Sequence, residues 1–398
     1  MLTKVIAIII TPVISHNFGS AHSKSIHYIK VLFPNIKDLN PLNNIVYFGE
    51  NFMEKAIQTN VDFKTSYLDI ELKNPIVLAP GHLSSHSKQI EEAAKSGFGA
   101  IVLKSVVGED KKGNASMEIN RRTSKFWWVK DEEGNPILHW KGGLDLRSFP
   151  KYLEFAREAY KIGQDYNTPL IASFLCHLPR TLDEEWKVKE WEYTTRKLNE
   201  IGYTHMEIDF CPFLKEDEEA TNKMETVLRW YREAPGLIKE VDKKIKVVPK
   251  ILNLDFDMEF QEKMVRAAVE GGADGVTIAN RFFVKGYVNK ETGEVYDTAH
   301  GGKELRERNQ ELIRKVRKGG IRIPINATGG TYTGEHVLEY LSLGAQDVQV
   351  FTYVFNTKVE KKKKIGEALQ NLLLNPQNGL VTTMLSKGIY SLDQLDKL

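Results

Sequence analysis

Cysteine is almost missing from this 398-residue chain, which has only Cys176 and Cys211. Two thiols exclude a disulfide framework, and they are too few to ligate a four-thiolate iron–sulfur cluster. A reducing compartment, the cytoplasm, is therefore the expected location. An excess of one charge is lacking too. With 55 basic against 53 acidic residues and a net charge of +2, no global field favours nucleic acid or an anionic membrane. No apolar run is long enough to cross a bilayer. The stretch Val5 to Ile14, behind a lone Lys4, is far too short. Ser20-Ala21 would suit a cleavage site, so a secretory signal over residues 1–21 competes with a buried first strand or an upstream extension. A G-x-G-x-x-G after an early strand is also missing, which removes the usual signature of a doubly wound dinucleotide fold. Hydrophobic residues at 41% and charged ones at 27% are ordinary for a globular chain.

What is present is alternation. Ile323 to Ala327 is a short apolar run that stops at Thr328-Gly329-Gly330. Glu335 to Leu343 follows with helical spacing, and Asp347 to Thr352 reads as the next strand. The unit predicts βαβ with parallel neighbouring strands, and its paired glycines allow backbone N–H groups to approach an anion. A plain tight turn is the alternative. Further runs occur at Ile76 to Ala79, Ala100 to Lys104, Leu170 to Leu175, Thr204 to Phe210, Ile245 to Ile251 and Gly275 to Ala279. Helical patterns separate most of them, as in Lys88 to Ser96, Pro150 to Ile162, Trp186 to Glu200, Phe256 to Glu270 and Lys303 to Arg317. Eight strand–helix units predict a (β/α)8 barrel whose site collects at the carboxyl ends of the strands. Residues 1–60 read as an appendage and 61–398 as the barrel, with a hairpin over Val61 to Phe63 and Tyr67 to Leu72.

Two connections exceed what a barrel needs. Residues 106–149, with Arg121, Arg122, Trp127, Trp128, Trp140 and Gly142-Gly143, read either as a lid or substrate wall or as an aromatic-stapled subdomain or interface. Residues 281–302 end in Ala299-His300-Gly301-Gly302 just before a helix, a second place for an anion. The strand ends are polar for core segments: Lys104, His177, Asp209, Cys211, Lys250 and Asn280. A lysine inside an apolar strand needs an anionic partner, because burying an ammonium is costly. A structural ion pair with Asp209 or Glu207 would meet that need. Two such lysines beside two glycine turns instead favour a phosphorylated, electron-accepting cofactor.

These residues carry a resemblance. Asn74 to Gly81, Gly99 to Ser105, Glu207 to Pro212, Asn280, Thr328-Gly329-Gly330 and Gly344 to Thr352 occur in the order found in the dihydroorotate dehydrogenase family, from about Val61 onward. The pyrimidine-reducing domain of dihydropyrimidine dehydrogenase looks similar. The resemblance implies an FMN-dependent dehydrogenase or reductase acting on CH–CH bonds of a dihydropyrimidine-like or related small cyclic substrate. It implies that Ala79 and Gly81 line the flavin, that Lys104 and Ser105 contact flavin and substrate edge, and that Asp209 stands where the family has asparagine. Lys250 would face the N1/O2 side of the ring, and Asn280 would bond the ring or the substrate. Gly301, Gly302, Gly329, Gly330 and Thr352 would hold the phosphate. Cys211 is the candidate catalytic base and His177 its reserve. A buried apolar cysteine and a structural histidine are the corresponding alternatives.

The departures fall on the substrate side. The family's Asn-Leu-Ser-Cys-Pro-Asn is one residue shorter here, Asp209-Phe210-Cys211-Pro212-Phe213. Its Asn-Ser-x-Gly-Leu-x-Asn segment has only Trp140-Lys141-Gly142-Gly143-Leu144-Asp145 as a counterpart, and Phe351 replaces a small residue before Thr352. Flavin binding survives this comparison better than orotate binding. A non-redox phosphate-binding isomerase, lyase or synthase and a flavin-binding subunit of a larger complex are the competing functions. The expected partners are a small-molecule substrate and an electron donor or acceptor, with no nucleic acid and no membrane, and a homodimer is one open arrangement. His82 and His86 have a spacing that suits metal ligation on a helix, but no third ligand is apparent, so no metal is assigned.

Overall fold

The computed structural model describes residues 61–115, 125–141, 144–176, 182–210, 224–253, 257–289 and 292–397. The appendage 1–60, including the signal-peptide reading, and the two candidate bases His177 and Cys211 lie outside the described residues.

Eight parallel strands close into a barrel: β3 (Ile76–Leu78), β4 (Ala100–Val102), β8 (Leu170–Leu175), β9 (His205–Asp209), β10 (Lys246–Lys250), β11 (Val276–Ile278), β14 (Ile325–Thr328) and β15 (Asp347–Val350). They are numbered with the strands outside the ring included in chain order, among them the two-residue β5 (Val106–Val107) alongside β8. Each pairs with its neighbours in parallel, and the β4–β8 and β15–β3 pairings complete the ring. The expected βαβ unit is present, with Asn326 opposite Asp347 and the helix Gly334–Ser342 crossing between β14 and β15. That helix starts where expected because Thr333 caps it, its hydroxyl accepting from the His336 N–H.

Strand alternation divides the core. Residues such as Ile76, Leu78, Ile101, Met206, Ile208, Val247, Ile278, Ala327 and Val350 pack outward against the helices in one large cluster. Val77, Ala100, Val102, Ile171 and Val248 form a second, smaller cluster in the lumen, joined by Tyr67 and Leu72. These last two come from the hairpin β1 (Thr65–Tyr67) and β2 (Ile70–Leu72), which plugs the amino-terminal end of the barrel. The hairpin is displaced from its expected position. Its turn falls at Leu68-Asp69, inside the run predicted as the second strand, with Leu68 in the left-handed region at φ 55°. Asp62 instead bridges to Ser391 near the carboxyl end. Alternation over Tyr67 to Leu72 is compatible with one strand or with two short ones, and burial of Tyr67 and Leu72 decided between them.

The two long connections do not act separately. β6 (Lys125–Lys130) and β7 (Pro136–Lys141) come from the first, and β12 (Phe282–Val288) and β13 (Val295–His300) from the second. They unite as one antiparallel sheet in the order β12-β13-β7-β6.

Leu72 is wholly buried between the plug and the lumen. Leu72→Ala is expected to lower unfolding stability by about 2–5 kcal/mol, because a plug held from one side only cannot collapse into the void. Denaturant-induced unfolding of both proteins would measure this.

Candidate functional site at the barrel mouth

The carboxyl ends of the strands bring together most of the residues singled out in the sequence. Lys104 and Ser105 follow β4, Asp209 ends β9, Lys250 ends β10 and Asn280 follows β11. Asp209 and Lys250 are register partners on adjacent strands, and Lys250 is likewise the partner of Thr277. Asp209 is half-buried. Its Oδ2 accepts from Ser105 Oγ at 2.9 Å and its Oδ1 from Asn280 Nδ2 at 2.8 Å. Ser105 Oγ also lies 2.8 Å from Ser173 Oγ, and Asn280 Oδ1 accepts from the Arg281 N–H at 2.9 Å. Ser105, Asp209 and Asn280 are therefore locked to one another in fixed orientations.

Lys250 does not bond Asp209. Its ammonium turns down into the lumen to Glu207 Oε1 at 3.2 Å, while Glu207 Oε2 accepts from Thr277 Oγ1 and Gln349 Nε2, both at 2.8 Å. Of the two structural partners open to this lysine, the one adopted is Glu207, which is completely buried. The Tyr231 hydroxyl donates to the Lys250 carbonyl at 3.0 Å and fixes the strand end from outside.

Two glycine turns meet beside these residues. Gly302 (φ 120°) precedes the helix Lys303–Lys318, and Gly329 (φ 100°) with Gly330 (φ 63°) follows β14. A Cβ on Gly330 would collide with the Gly302 carbonyl oxygen, so the two backbones approach in a way only glycine permits. Gly301 borders Thr352, which opens the helix Thr352–Val359, so two helix amino-termini face the same place. Arg306 backs the cradle, its Nη1 donating to the Gly330 carbonyl at 2.9 Å and reaching His336 Nδ1 at 2.9 Å. Burial first, and the Arg306 charge next, push His336 down to about 4, so its Nδ1 stays an acceptor. A donor-rich, glycine-only cradle at one end and Lys104, Lys250 and Asn280 at the other form a set suited to a phosphorylated flavin. Ala79 and Gly81 lie at the end of β3 in the same ring of strand ends, where a Cβ on Gly81 would run into the Phe351 ring. The aromatic residue before Thr352 is thus seated against that glycine.

The four-stranded sheet covers this mouth. Trp140 of β7 stacks on His82 at 4.3 Å between ring centroids, with Lys104 Nζ 4.8 Å and the Arg281 guanidinium 5.1 Å from its ring. Two cations against one indole are favourable electrostatically. Phe351 and Phe355 extend the stack below. The sheet is tied down by Tyr332, whose hydroxyl donates to the Pro136 carbonyl at 2.8 Å, and by the Lys303–Glu133 pair at 2.6 Å. Its other face carries His139, stacked on His300 at 5.0 Å and against Tyr287 at 4.4 Å. Sequence reading missed Arg281, His82 as an aromatic partner, and Arg306. Arg281 was findable, since it directly follows Asn280, whereas Arg306 lies in a charged helix whose pattern resembles a solvated face. His82 and His86 do not share a helix face: His82 is in a short turn, and His86 precedes the helix Ser87–Ser96 and meets Ser85 Oγ.

Comparison with known proteins points to one family. A family model described as dihydroorotate dehydrogenase matches residues 196–373. The "Dihydroorotate dehydrogenase B (NAD(+)), catalytic subunit" of Alkaliphilus metalliredigens is 26% identical over 305 residues, covering 75% of this chain and 89% of the relative. The chain is similar to dihydroorotate dehydrogenases. The protein of the same name from Petrotoga mobilis is 23% identical, with 78% of this chain and 95% of the relative covered. The "Dihydroorotate dehydrogenase (quinone)" of Pseudomonas fluorescens is 24% identical, with 72% and 80% covered. The region matched by the dihydroorotate dehydrogenase model runs from the helix before β9 through both glycine turns, so it contains Asp209, Lys250, Asn280 and the two glycine turns.

The covering sheet gives a pH dependence. Burial, with His300 adding to it, pushes His139 from its ordinary 6.5 down to about 4. The unfolded chain therefore gains a proton before the folded one. The folded state keeps its full contribution above about pH 6.5 and loses it as pH falls towards 4. His139→Phe preserves the stacking and removes the titration, so its melting temperature is expected to fall less steeply across that window than that of the wild type.

Proposed function

We propose that this chain is an FMN-dependent oxidoreductase of the dihydroorotate dehydrogenase type, acting on the CH–CH bond of a small cyclic, dihydropyrimidine-like substrate. The observation that carries the reading is the meeting of the Gly302 and Gly330 backbones beside Lys104, Ser105, Asp209, Lys250 and Asn280 at one barrel mouth. FMN, when bound, supplies a ring that accepts or donates hydride. The chain's residues hold and orient it: Gly301, Gly302, Gly329, Gly330 and Thr352 take the phosphate, while Ala79 and Gly81 line the ring with Lys104 and Ser105. Lys250 brings positive charge to the ring edge where negative charge develops. Asn280 and Asp209 orient the reacting edge, Cys211 moves the accompanying proton, and His177 is the reserve for that role. The covering sheet excludes water, with Trp140 as its innermost group. The relatives' names describe catalytic subunits, so a separate electron donor or acceptor is proposed as partner.

The test begins with the absorbance of purified protein mixed with FMN. A bound-flavin spectrum is expected, and no FMN affinity would overturn the reading in favour of a non-redox phosphate-binding barrel. The Glu207 pair changes what substitution of Lys250 should do. Lys250→Met alone leaves a buried carboxylate unmatched and is expected to cost about 3–5 kcal/mol of stability. Lys250→Met with Glu207→Gln removes both charges and should recover most of that loss. If Lys250 serves the cofactor, the double variant still has a lower flavin reduction potential than Glu207→Gln alone. Equal potentials in those two would leave Lys250 a purely structural role.

A further inference from the structure

The lumen below Lys250 contains polar atoms that the described protein groups leave unmatched. Glu207 uses the donors around it, taking Lys250, Thr277 and the Gln349 amide nitrogen. The Gln349 Oε1 is then buried without a hydrogen-bond partner. Two residues earlier on β15, Asp347 is completely buried, and neither of its oxygens is bonded. Its register neighbour Asn326 on β14 and the hydroxyl of Tyr67, rising from the plug, face each other, and neither forms a hydrogen bond of ordinary geometry. Most of these atoms can only accept: both Asp347 oxygens, Asn326 Oδ1 and Gln349 Oε1. Buried side chains with so many unmet acceptors around a carboxylate require something that donates or carries positive charge.

We propose that this chamber takes up one unit of positive charge, as a proton on Asp347 or as an alkali cation among the Asp347, Asn326 and Gln349 oxygens. Either source supplies what the lining lacks. As a proton, it turns Asp347 into a donor for the neighbouring amide oxygens. As sodium or potassium, it finds hard oxygen ligands on adjacent strands. The surroundings favour a cation over an anion. Burial, then the Glu207 charge, hold the Asp347 carboxyl well above the usual carboxylate range, and burial with both carboxylates does the same to the Tyr67 phenol. The titratable groups facing the chamber are Glu207 and Lys250 above and Tyr67 below, with the His205–Asp69 pair beyond Tyr67. On the outer side of the plug a cavity of about 600 Å³ is lined by Gln346 and by Asp62, Asp69, Glu71 and Asp393 against Lys64. That lining carries more carboxylates than cations, with Asp69 paired to His205 and Lys246 and Glu71 to Lys64, and it reaches the residue preceding Asp347. Loading keeps the floor beneath the Lys250–Glu207 pair neutral, and emptying adds a second carboxylate charge to the same lumen.

The test is thermal unfolding of the full chain, wild type and Asp347→Asn, in potassium, sodium or choline chloride at equal ionic strength and over a pH series. If an alkali cation is bound, the wild-type melting temperature rises in potassium or sodium relative to choline, as for any ligand of the folded state alone, and Asp347→Asn abolishes the rise. If a proton is bound, the alkali salts are equivalent. The folded carboxyl then binds its proton more tightly than the unfolded one, whose pKa is about 4. Its stabilisation is complete below that value and is lost as pH rises through the folded pKa. The wild type should therefore lose several degrees relative to Asp347→Asn as pH is raised, and should show an infrared band of a neutral carboxylic acid near neutral pH that the variant lacks. The infrared and salt measurements on the wild type alone decide the matter if the variant fails to fold. A wild type with no alkali preference and no neutral-acid band would overturn the proposal. None of these readouts uses FMN, so the result is independent of the function proposed above.

Discussion

A single buried carboxylate, Glu207, connects the inside of this barrel to its mouth. An ion of this kind is tolerable only when its lone pairs are matched, and here a lysine, a threonine and a glutamine from three other strands match them. The same contacts fix where the Lys250 ammonium lies. Because Lys250 is drawn down to Glu207, Asp209 at the rim is left to Ser105 and Asn280 rather than to the neighbouring cation. The polar order of the mouth thus follows from a charge one layer below it.

The second constraint is backbone proximity. Gly302 and Gly330 belong to loops that follow different strands, yet they come so close that no side chain fits at Gly330. Arg306 keeps them together through the Gly330 carbonyl, and the covering sheet leans on the same place, with Ile137 against Gly302. Cradle and cover are consequently one mechanical unit.

Much of this was legible in the sequence. All eight barrel strands were readable as short runs, because their outward residues are apolar against the helical shell even where lumen-facing ones, such as Glu207, Asn326 and Asp347, are polar. The glycine turns were readable because adjacent glycines directly after an apolar strand mark a sharp, open backbone turn. The covering sheet was not. Trp127, Trp128 and Trp140 announced a packed insertion, but nothing local in 125–141 or 282–300 says that β7 pairs with β13, a contact between segments more than a hundred residues apart. The plug was misplaced for a related reason: its register depends on which residues find the lumen. Lys250 was recognised as needing an anion, but only the fold could select Glu207 over Asp209.

Among the described residues the covering sheet is open on both sides, with β6 and β12 at its edges. Unpaired strand edges on a projecting sheet invite pairing with another molecule and, from there, aggregation. Both edges carry features that discourage it. β6 ends with exposed Lys130, so a strand added alongside would bury or crowd this charge. β12 places exposed Lys285 beside Gly286, where its register against β13 is broken between Val284 and Tyr287. An irregular, charged edge is a poor template for an incoming strand. The cover can therefore stand on the barrel as a sheet of four strands without recruiting a fifth.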